Sequence, residues 1–396
     1  MSQPESVPSG ASPAHSAGLA PGRPRIIALD VVRGAVMVLM AIDHVRVYSG
    51  LPAGGPTPGI FFTRWITHFC APAFVFLAGT AAFLYGQKVG SKAALTRFLV
   101  TRGAWLVLLE LTVLRVAWTF NFDFAHYMLA GVIWMLGWCM ILLAVLIHLP
   151  LPVLTAVGAA IVALHNVTDL IPGLRERAGE SGASWLLTFA YFGGAVGPIA
   201  VLYSIIPWVG VMALGYGFGS LFQLAPARRR KICLGIGLGA IALFLVLRAT
   251  NLYGDPRPWK GSVLGFLGTT KYPASLLFLL MTLGPTIALI PWLERAKGWW
   301  AEALAVFGKV PFFYYLLHIP LIHVLAIVVA KIRTPEAMPW LFDNHPMWPS
   351  EAPPGYQWSL PLLYLVFVVA IVILYFPCRW FAGLKARQRN PWLKYL

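Results

Sequence analysis

The stretch LDVVRGAVMVLMAIDHVRVY, residues 29–48, decides how this chain is interpreted. Its middle is an apolar run of helical length, yet Asp30 and Arg33 stand near its start and Asp43, His44 and Arg46 near its end. Burying such a group in hydrocarbon without a partner costs on the order of several kcal/mol. The stretch therefore indicates a membrane helix whose polar groups are either paired or functional.

The composition of the whole chain supports a membrane protein. Of 396 residues, 59% are hydrophobic and only 11% are charged, whereas a soluble domain has about 25% charged residues. Apolar runs of about 20 residues, each long enough to cross a bilayer, recur from end to end. They predict an all-α polytopic bundle of about ten transmembrane helices: 26–48, 60–86, 98–120, 127–147, 151–167, 199–222, 232–250, 272–293, 310–332 and 359–382.

The distribution of positive charge predicts the orientation. With the N-terminus in the cytoplasm, most Lys and Arg of the connecting segments, including RRRK at 228–231, lie inside, so both termini should be cytoplasmic. Such loops account for the formal charge of +16 without a nucleic-acid partner. Residues 1–24, rich in Ser, Pro, Gly and Ala, are predicted to be a disordered tail. Residues 25–384 then form one membrane domain and residues 385–396 a basic cytoplasmic tail.

The ionisable residues of the predicted spans fall into two layers. Asp30 and Arg33 are three residues apart at the inner end of the first span and can pair on one helix face. Eleven residues, about 16 Å of helix, separate Arg33 from His44. The outer layer predicts one shared, hydrated cavity. Its members are Asp43, His44, Arg64, His68, Glu110, Arg115, Asp123, His126, Lys271, Tyr272, His318 and His323.

Helical spacing refines the outer layer. Arg64 and His68 are four residues apart and share a face. Asp43 is about 100° from His44 around the helix and is poorly placed to orient it. A carboxylate that orients His44 should therefore come from another helix, with Glu110 and Asp123 as candidates.

No metal site is predicted. The four cysteines are scattered without CxxC spacing, and His318 and His323, five residues apart, point about 140° apart.

Two N-terminal segments carry a family resemblance. RIIALDVVRGAVMVLMAIDHVR (25–46) and FFTRWITHFCAPAFVFLAGTAAFLYG (61–86) resemble bacterial members of the heparan-α-glucosaminide N-acetyltransferase catalytic-domain family, which belongs to the transmembrane acyltransferases. KYPASLLFLLMTLGP (271–285) and FGKVPFFYYLLHIPLIH (307–323) also resemble this bacterial branch.

The resemblance implies acyl transfer across a membrane, expected to be the bacterial cytoplasmic membrane. Acetyl-CoA would be the donor, entering from the cytoplasm, and a sugar or glycan outside would be the acceptor. A histidine would act as base or acyl carrier, with no metal. The partners would thus be acyl-CoA, the acceptor and membrane lipids, and an oligomer is compatible with this.

The chain departs from the family's lysosomal member at the catalytic histidine. That enzyme has it in the loop between the first two spans, whereas SGLPAGGPTPGI (49–60) contains no histidine. Related acyltransferases carry a histidine near the end of the first span, so the role is assigned to His44 as a hypothesis. The acceptor is not carried over.

The predicted site follows from these arguments. His44 would be the base, because histidine titrates near neutral pH, and Asp43, Arg64 and His68 would shape the site. Arg64 is the candidate donor to the oxyanion. The remaining predicted residues are, for substrate binding, Glu110, Asp123, Lys271, Tyr272 and His318, and, for the acyl-CoA cofactor, Asp30 and Arg33.

Each assignment has a simpler structural alternative. Asp43, His44 and Arg46 could be an ion-pair cluster capping the helix end, and Arg64 with His68 could serve only backbone carbonyls. Asp30 and Arg33 could be a structural pair. A transporter or flippase for a solute, lipid or glycan would also have polar residues at two depths, and a non-catalytic membrane partner protein is a third alternative.

Overall fold

The computed structural model describes residues 26–388 except 175–176, 178–181 and 183. The predicted tail 1–24 and residues 389–396 of the basic tail lie outside the described residues. Residues 385–387 belong to the last helix.

The first half of the chain forms helices broken by short irregular turns. A 3₁₀ turn, Ile66–Phe69, joins α2 to α3, and a π turn, Glu110–Leu114, joins α4 to α5. The helices are α1 Ile27–Tyr48, α2 Pro58–Trp65, α3 Cys70–Val89, α4 Lys92–Leu109, α5 Arg115–Thr119, α6 Val132–Leu146 and α7 Leu151–Leu164.

The second half contains the longest helices and a connecting cap. The cap is the connection between the last two helices, residues 334–359, and it contains a 3₁₀ segment, Pro335–Phe342. The helices are α8 Ser184–Leu187, α9 Ile206–Phe218, α10 Pro226–Thr250, α11 Val263–Leu267, α12 Leu276–Leu293, α13 Trp299–Lys309, α14 Pro311–Arg333 and α15 Leu360–Arg387.

The described chain is mostly helical and contains six helices long and apolar enough to cross a membrane: Pro58–Val89, Leu151–Leu170, Pro226–Thr250, Leu276–Leu293, Pro311–Arg333 and Leu360–Arg387. The membrane-helical class is therefore confirmed. Each of the ten predicted ranges contains a helical segment, but a total of ten spans and the side of the termini stay predictions. Helix α1 is not among the six, and it carries two charged residues near each end.

The structure corrects the predicted starts of three spans, at residues 127, 199 and 272. Residues 128–130 do not begin a helix but form strand β1 (Met128–Ala130), which pairs in parallel with β3 (Ile199–Val201); β2 (Gly194–Val196) adds to the other edge of β3. Helix α12 begins at Leu276, so Lys271 and Tyr272 lie in the segment before it rather than opening it. The first two of these changes have one physical reason: strands of three residues are too short to show alternating hydrophobicity.

Helix α1 is enclosed by the rest of the protein. It packs against α3, α12, α13, α14 and α15. A Cβ atom on Gly34 would clash with the carbonyl oxygen of Leu304, and one on Gly308 with that of Asp30. Two glycines thus let α1 and α13 touch backbone to backbone, which fixes α1 at the centre of the bundle.

The small residues at 78–82 allow another helix to pack closely against α3. A Cβ on Gly79 would clash with the carbonyl oxygen of Met212, and one on Gly215 with that of Phe76. Helix α3 therefore lies directly against α9, and this contact holds the segment that carries Arg64 and His68.

Candidate active site

Two histidines from distant helices meet at the end of α1. Nδ1 of His44 lies 2.6 Å from Nε2 of His318 on α14. Their rings stack with centroids 4.8 Å apart and an interplanar angle of 25°. His318 is fully buried, whereas His44 is partly exposed to a cavity.

Backbone carbonyls decide which nitrogens carry protons in this pair. Nδ1 of His318 lies 2.7 Å from the carbonyl oxygen of Tyr315, which can only accept, so Nδ1 donates. Nε2 of His318 must then accept from Nδ1–H of His44. Neutral imidazole has one donor and one acceptor nitrogen. The lone pair of His44 therefore resides on Nε2, and no described residue donates to that atom.

Asp43 binds two arginines and not its neighbour His44. Nε of Arg46 donates to Oδ1 of Asp43 at 2.8 Å, and Nη1 of Arg64 donates to Oδ2. Nη2 of Arg64 lies 3.4 Å from the hydroxyl of Tyr272. The carboxylate thus holds the Arg64 guanidinium beside His44, which agrees with the predicted geometry of Asp43.

These groups line one space, the histidine cavity, of about 220 Å³. Besides His44, four predicted site residues line it: Asp43, Arg64, Glu110 and Tyr272. Its walls are Asp43, His44, Arg46, Val47, Ala53, Arg64, Glu110, Trp118, Leu129, Gly131, Val132, Leu202, Tyr203, Tyr272, Tyr315 and Pro346.

Glu110 lines this cavity but does not orient His44. Its Oε2 accepts hydrogen bonds from the backbone N–H groups of Ile133, at 2.8 Å, and Trp134, at 3.2 Å, at the start of α6. Its Oε1 is buried without a hydrogen-bond partner. The acid caps a helix, where unsatisfied N–H groups attract a carboxylate. The prediction that it orients His44 is wrong, because His318 occupies that position.

Asp123 and Arg115 were both expected in the shared outer cavity, and neither lines it. Asp123 is exposed, and its Oδ1 lies 2.7 Å from Nδ1 of His126, so it is not part of the cavity. The buried Arg115 donates to the carbonyl oxygens of Asn121, Asp123 and Tyr127. This arginine folds the loop after α5 and needs no carboxylate, since backbone carbonyls satisfy it.

His68 faces a neighbouring space that we name the outer chamber, of about 690 Å³. Arg64, Ala53 and Tyr272 line both this chamber and the histidine cavity, so the two adjoin. The predicted shared orientation of Arg64 and His68 is seen here. The chamber is lined by Ala53, Gly54, Gly55, Pro56, Thr57, Phe61, Arg64, Trp65, His68, Arg257, Leu264, Gly265, Gly268, Thr269, Thr270, Lys271 and Tyr272.

A third space, the inner cavity of about 320 Å³, lies toward the other end of α1. Asp30 and Arg33 pair at 3.6 Å, and Arg33 lines this cavity. Mostly apolar walls surround it, with Arg102, Lys309 and Lys385 as further cationic residues. Val132 and Tyr315 line both the inner and the histidine cavities. A row of spaces therefore follows α1 between its two polar layers.

Three aromatic residues at or beside the site, Trp118, Tyr203 and Tyr315, were not singled out from the sequence. The Trp118 ring lies 4.8 Å from the His44 ring at 73°, and the Tyr315 ring at 6.4 Å and 88°. Tyr203 contacts Tyr272 with ring centroids 5.2 Å apart. In a chain with 16 Trp and 14 Tyr these residues carry no local signal, and only the tertiary fold shows which of them face the cavity.

The comparisons with known proteins give one family and no individual relative. The family described as heparan-alpha-glucosaminide N-acetyltransferase, catalytic, matches residues 25–253. No curated protein sequence matches the chain. The matched region is more than half of the chain and includes Asp43, His44, Arg64, His68 and Glu110. The segments around Tyr272 and His318 lie beyond the match, although the fold brings them to the same cavity. The chain therefore belongs to the heparan-alpha-glucosaminide N-acetyltransferase catalytic family.

Proposed function

We propose that this integral membrane protein transfers an acetyl group from cytoplasmic acetyl-CoA to a sugar or glycan on the extracytoplasmic side, with His44 as the general base. The family supports a membrane acetyltransferase. The observation that carries the assignment of the base is the His44–His318 hydrogen bond, which leaves Nε2 of His44 available in a cavity.

In this mechanism the acceptor's hydroxyl or amine binds beside His44. Nε2 of His44 takes its proton while the oxygen or nitrogen attacks the thioester carbonyl. The resulting tetrahedral oxyanion accepts a hydrogen bond from the guanidinium of Arg64, which Asp43 holds in place. The C–S bond then breaks, and the CoA thiolate takes the proton from His44. Acetylated acceptor and CoA thiol are the products.

The donor would lie along α1. Arg33, Arg102, Lys309 and Lys385 of the inner cavity suit an anionic nucleotide, and the apolar walls suit a long flexible arm. Arg33 and His44 are about 16 Å apart along the helix, which this arm would span. Val132 and Tyr315 stand where the thioester would reach the histidine cavity.

The test is acetyl transfer by purified variants. His44→Gln should reduce kcat by about 10²–10⁴-fold, the contribution of a positioned base. His148→Gln is the matched control, because His148 is exposed and bonds only Thr96 through its ring. Full activity in His44→Gln would refute the proposal. If radioactive acetyl-CoA leaves a labelled acetyl group on His44 in the absence of acceptor, His44 is an acyl carrier and not a general base.

A transporter or flippase remains the second candidate, because the inner and histidine cavities share walls and lie at different depths. Gradient-driven uptake by liposomes, with no acetyl-CoA turnover, would favour it over the acetyltransferase.

A further inference from the structure

Two helix ends meet in a basic surface that lines none of the three cavities, and we name it the basic corner. Nε and Nη2 of Arg229, at the start of α10, donate to Oε1 and Oε2 of Glu294, just after α12, at 2.7 Å and 2.9 Å. This bidentate pair holds RRRK (228–231) beside the segment 292–299. The basic corner consists of Arg228, Arg229, Arg230, Lys231, Trp292, Glu294, Arg295, Lys297 and Trp299.

The single carboxylate of the basic corner is already neutralised. Both oxygens of Glu294 bind Arg229, whose Nη1 donates to the carbonyl oxygen of Leu224 at 3.0 Å. Glu302, the next carboxylate along the chain, makes no salt bridge with the described residues. Within the described chain the same holds for five cations of the basic corner: Arg228, Arg230, Lys231, Arg295 and Lys297. Their positive charge is therefore available to an anion from outside the protein.

Exposed tryptophans place the basic corner at the border of a bilayer. Trp292 is 57% exposed and Trp299 is 82% exposed, and tryptophan is enriched where membrane proteins cross the headgroup layer. The guanidinium of Arg230 lies over the Trp292 ring, 5.1 Å from its centroid. This cation–π contact holds the guanidinium in place and leaves its N–H groups free to donate to an anion.

Apolar surface continues from the basic corner along both helices. Leu289, one turn before Trp292, is 54% exposed, and Leu238, two turns after Arg230, is 57% exposed. Both α10 and α12 are long and apolar enough to cross a membrane, and only 22% of the most apolar stretch of α10 is buried. Acyl chains can therefore lie against these helices next to a headgroup at the basic corner.

We propose that the basic corner binds an anionic phospholipid, with its phosphate beside Arg228 and Arg230 and its acyl chains along Leu238 and Leu289. Charge complementarity supports this occupant, because clusters of Lys and Arg at the cytoplasmic ends of membrane helices attract anionic headgroups. A soluble acidic protein would match the charge but not the exposed Trp and Leu side chains. Since the lipid contacts both α10 and α12, its binding stabilises the folded protein.

The first experiment compares lipids of different headgroup charge. Phosphatidylglycerol and phosphatidylcholine with the same acyl chains are titrated into the full-length protein in neutral detergent at constant ionic strength, and the melting temperature is followed. Phosphatidylglycerol should raise the melting temperature, because a ligand of the folded state stabilises that state, whereas phosphatidylcholine should have little effect. Equal shifts with the two lipids overturn the proposal.

The second experiment locates the lipid by removing two cations. Arg228→Gln with Arg230→Gln should weaken phosphatidylglycerol binding about tenfold or more, as expected for hydrogen-bonded charges. Lys88→Gln with Arg97→Gln is the matched control, since it removes the same charge from two exposed residues near the connection between α3 and α4. Unchanged binding in the first pair, or an equal loss in both pairs, overturns the proposal.

Arg295→Gln with Lys297→Gln provides another pair if the first does not fold, because both residues are exposed in the segment between α12 and α13. This pair should also weaken phosphatidylglycerol binding, and no effect in it would overturn the proposal. The affinity for CoA, measured by isothermal titration, should match the wild type in both pairs. A loss of CoA affinity parallel to the loss of lipid binding would assign these cations to the nucleotide and overturn the lipid site.

Two further ligands distinguish a phospholipid from other anions. Glycerophosphoglycerol, the same headgroup without acyl chains, should bind at least about tenfold more weakly than phosphatidylglycerol, because it lacks the apolar contacts. Equal affinity would overturn the phospholipid in favour of a free phosphate diester. Polyglutamate that binds more tightly than phosphatidylglycerol, and that depends on Arg228 and Arg230, would overturn it in favour of an acidic protein.

Discussion

His318, and not a carboxylate, determines the tautomer of His44. Its Nδ1–H is held by the Tyr315 carbonyl, and so its Nε2 can only accept from His44. An orienting acid was expected from the sequence, by analogy with the usual histidine–carboxylate pair. The site uses a second neutral imidazole, which directs the His44 lone pair outward without adding a negative charge beside it.

Replacing His318 should therefore separate orientation from chemistry. His318→Leu cannot accept a hydrogen bond, so His44 would lose its fixed tautomer and kcat should fall about tenfold to hundredfold, a part of what a positioned base supplies. His318→Gln offers a carbonyl oxygen at that position and should retain more activity. Steady-state kinetics with acetyl-CoA check this, with donor KM as the control for binding. Equal losses in the two variants would mean that His318 only fills space.

The sequence predicted some contacts at this scale and could not predict others. Helical spacing alone indicated that Arg64 and His68 share a face and that Asp43 does not orient His44. It did not indicate that Arg64 pairs with Asp43. The pair His44–His318 spans 274 positions, and no local pattern encodes which helices meet. Glu110 does not orient His44 as expected, because the N-terminus of α6 competes for its carboxylate.

Among the elements, α1 and α13 can cross closely because each has a glycine at the contact, Gly34 on α1 and Gly308 on α13. Gly34→Ala would push a Cβ into the carbonyl oxygen of Leu304 and force the helices apart. We expect a lower melting temperature and a lower folded yield. Gly235→Ala on α10 is the control, because its Cβ would meet nothing within 4 Å. Detergent thermal unfolding followed by size-exclusion chromatography measures both. Equal stability of the two variants would show that α13 can shift without cost.

The cap over the end of α1 should respond to acid through His345. Its side chain is fully buried, its Nε2 donates to the Trp340 carbonyl at 3.1 Å, and its ring lies 5.1 Å from the ring of Tyr48. Burial lowers the pKa of His345 to about 4.

The sign of this effect follows from proton binding. Between about pH 6.5 and pH 4 the unfolded chain binds a proton at His345 that the native cap excludes, so stability falls as the pH falls through that range. From pH 6.5 to pH 5 the loss is about 2 kcal/mol. Limited proteolysis of residues 335–358 should accelerate over this range. His345→Gln should flatten the dependence, and an unchanged profile in that variant would assign it to another group.

The cap and the small sheet show where sequence reasoning about elements fails. Long apolar helices such as α10 and α15 could be placed from hydropathy alone, because burial in lipid requires many apolar residues in a row. Strands β1 and β3 have three residues each and come from segments about seventy residues apart. Their pairing depends on the helices α6 and α9 that follow them, so no short-range signal marks it.

For the molecule as a whole, the row of cavities along α1 predicts that donor binding and transfer can be uncoupled. Val132→Trp should fill the junction between the inner and histidine cavities, and so reduce kcat at least tenfold while the affinity for CoA changes little. Val145→Trp is the control, because this residue of the same helix is 68% exposed. Isothermal titration with CoA and a transfer assay give the two quantities. A loss of CoA affinity that matches the loss of rate would place the donor elsewhere.

Composition and periodicity were sufficient for the class of the molecule and for its two polar layers. They could not give the number of separate spaces between those layers, because cavities arise where side chains from unrelated segments fail to fill the volume between helices. Tyr272 illustrates this: it lies outside any helix, yet it borders both the histidine cavity and the outer chamber.

Val132 and Tyr315 form the wall between the inner and the histidine cavities, and this wall bears on how much acetyl donor is lost to water. A thioester held beside a general base and an oxyanion donor is exposed to attack by water as well as by the acceptor, because the same groups would activate either nucleophile. Two apolar-faced side chains between the compartments would keep bulk water on the far side from the reactive carbon until the acceptor arrives. The same two residues would then set the ratio between acetyl transfer to the acceptor and hydrolysis of the donor.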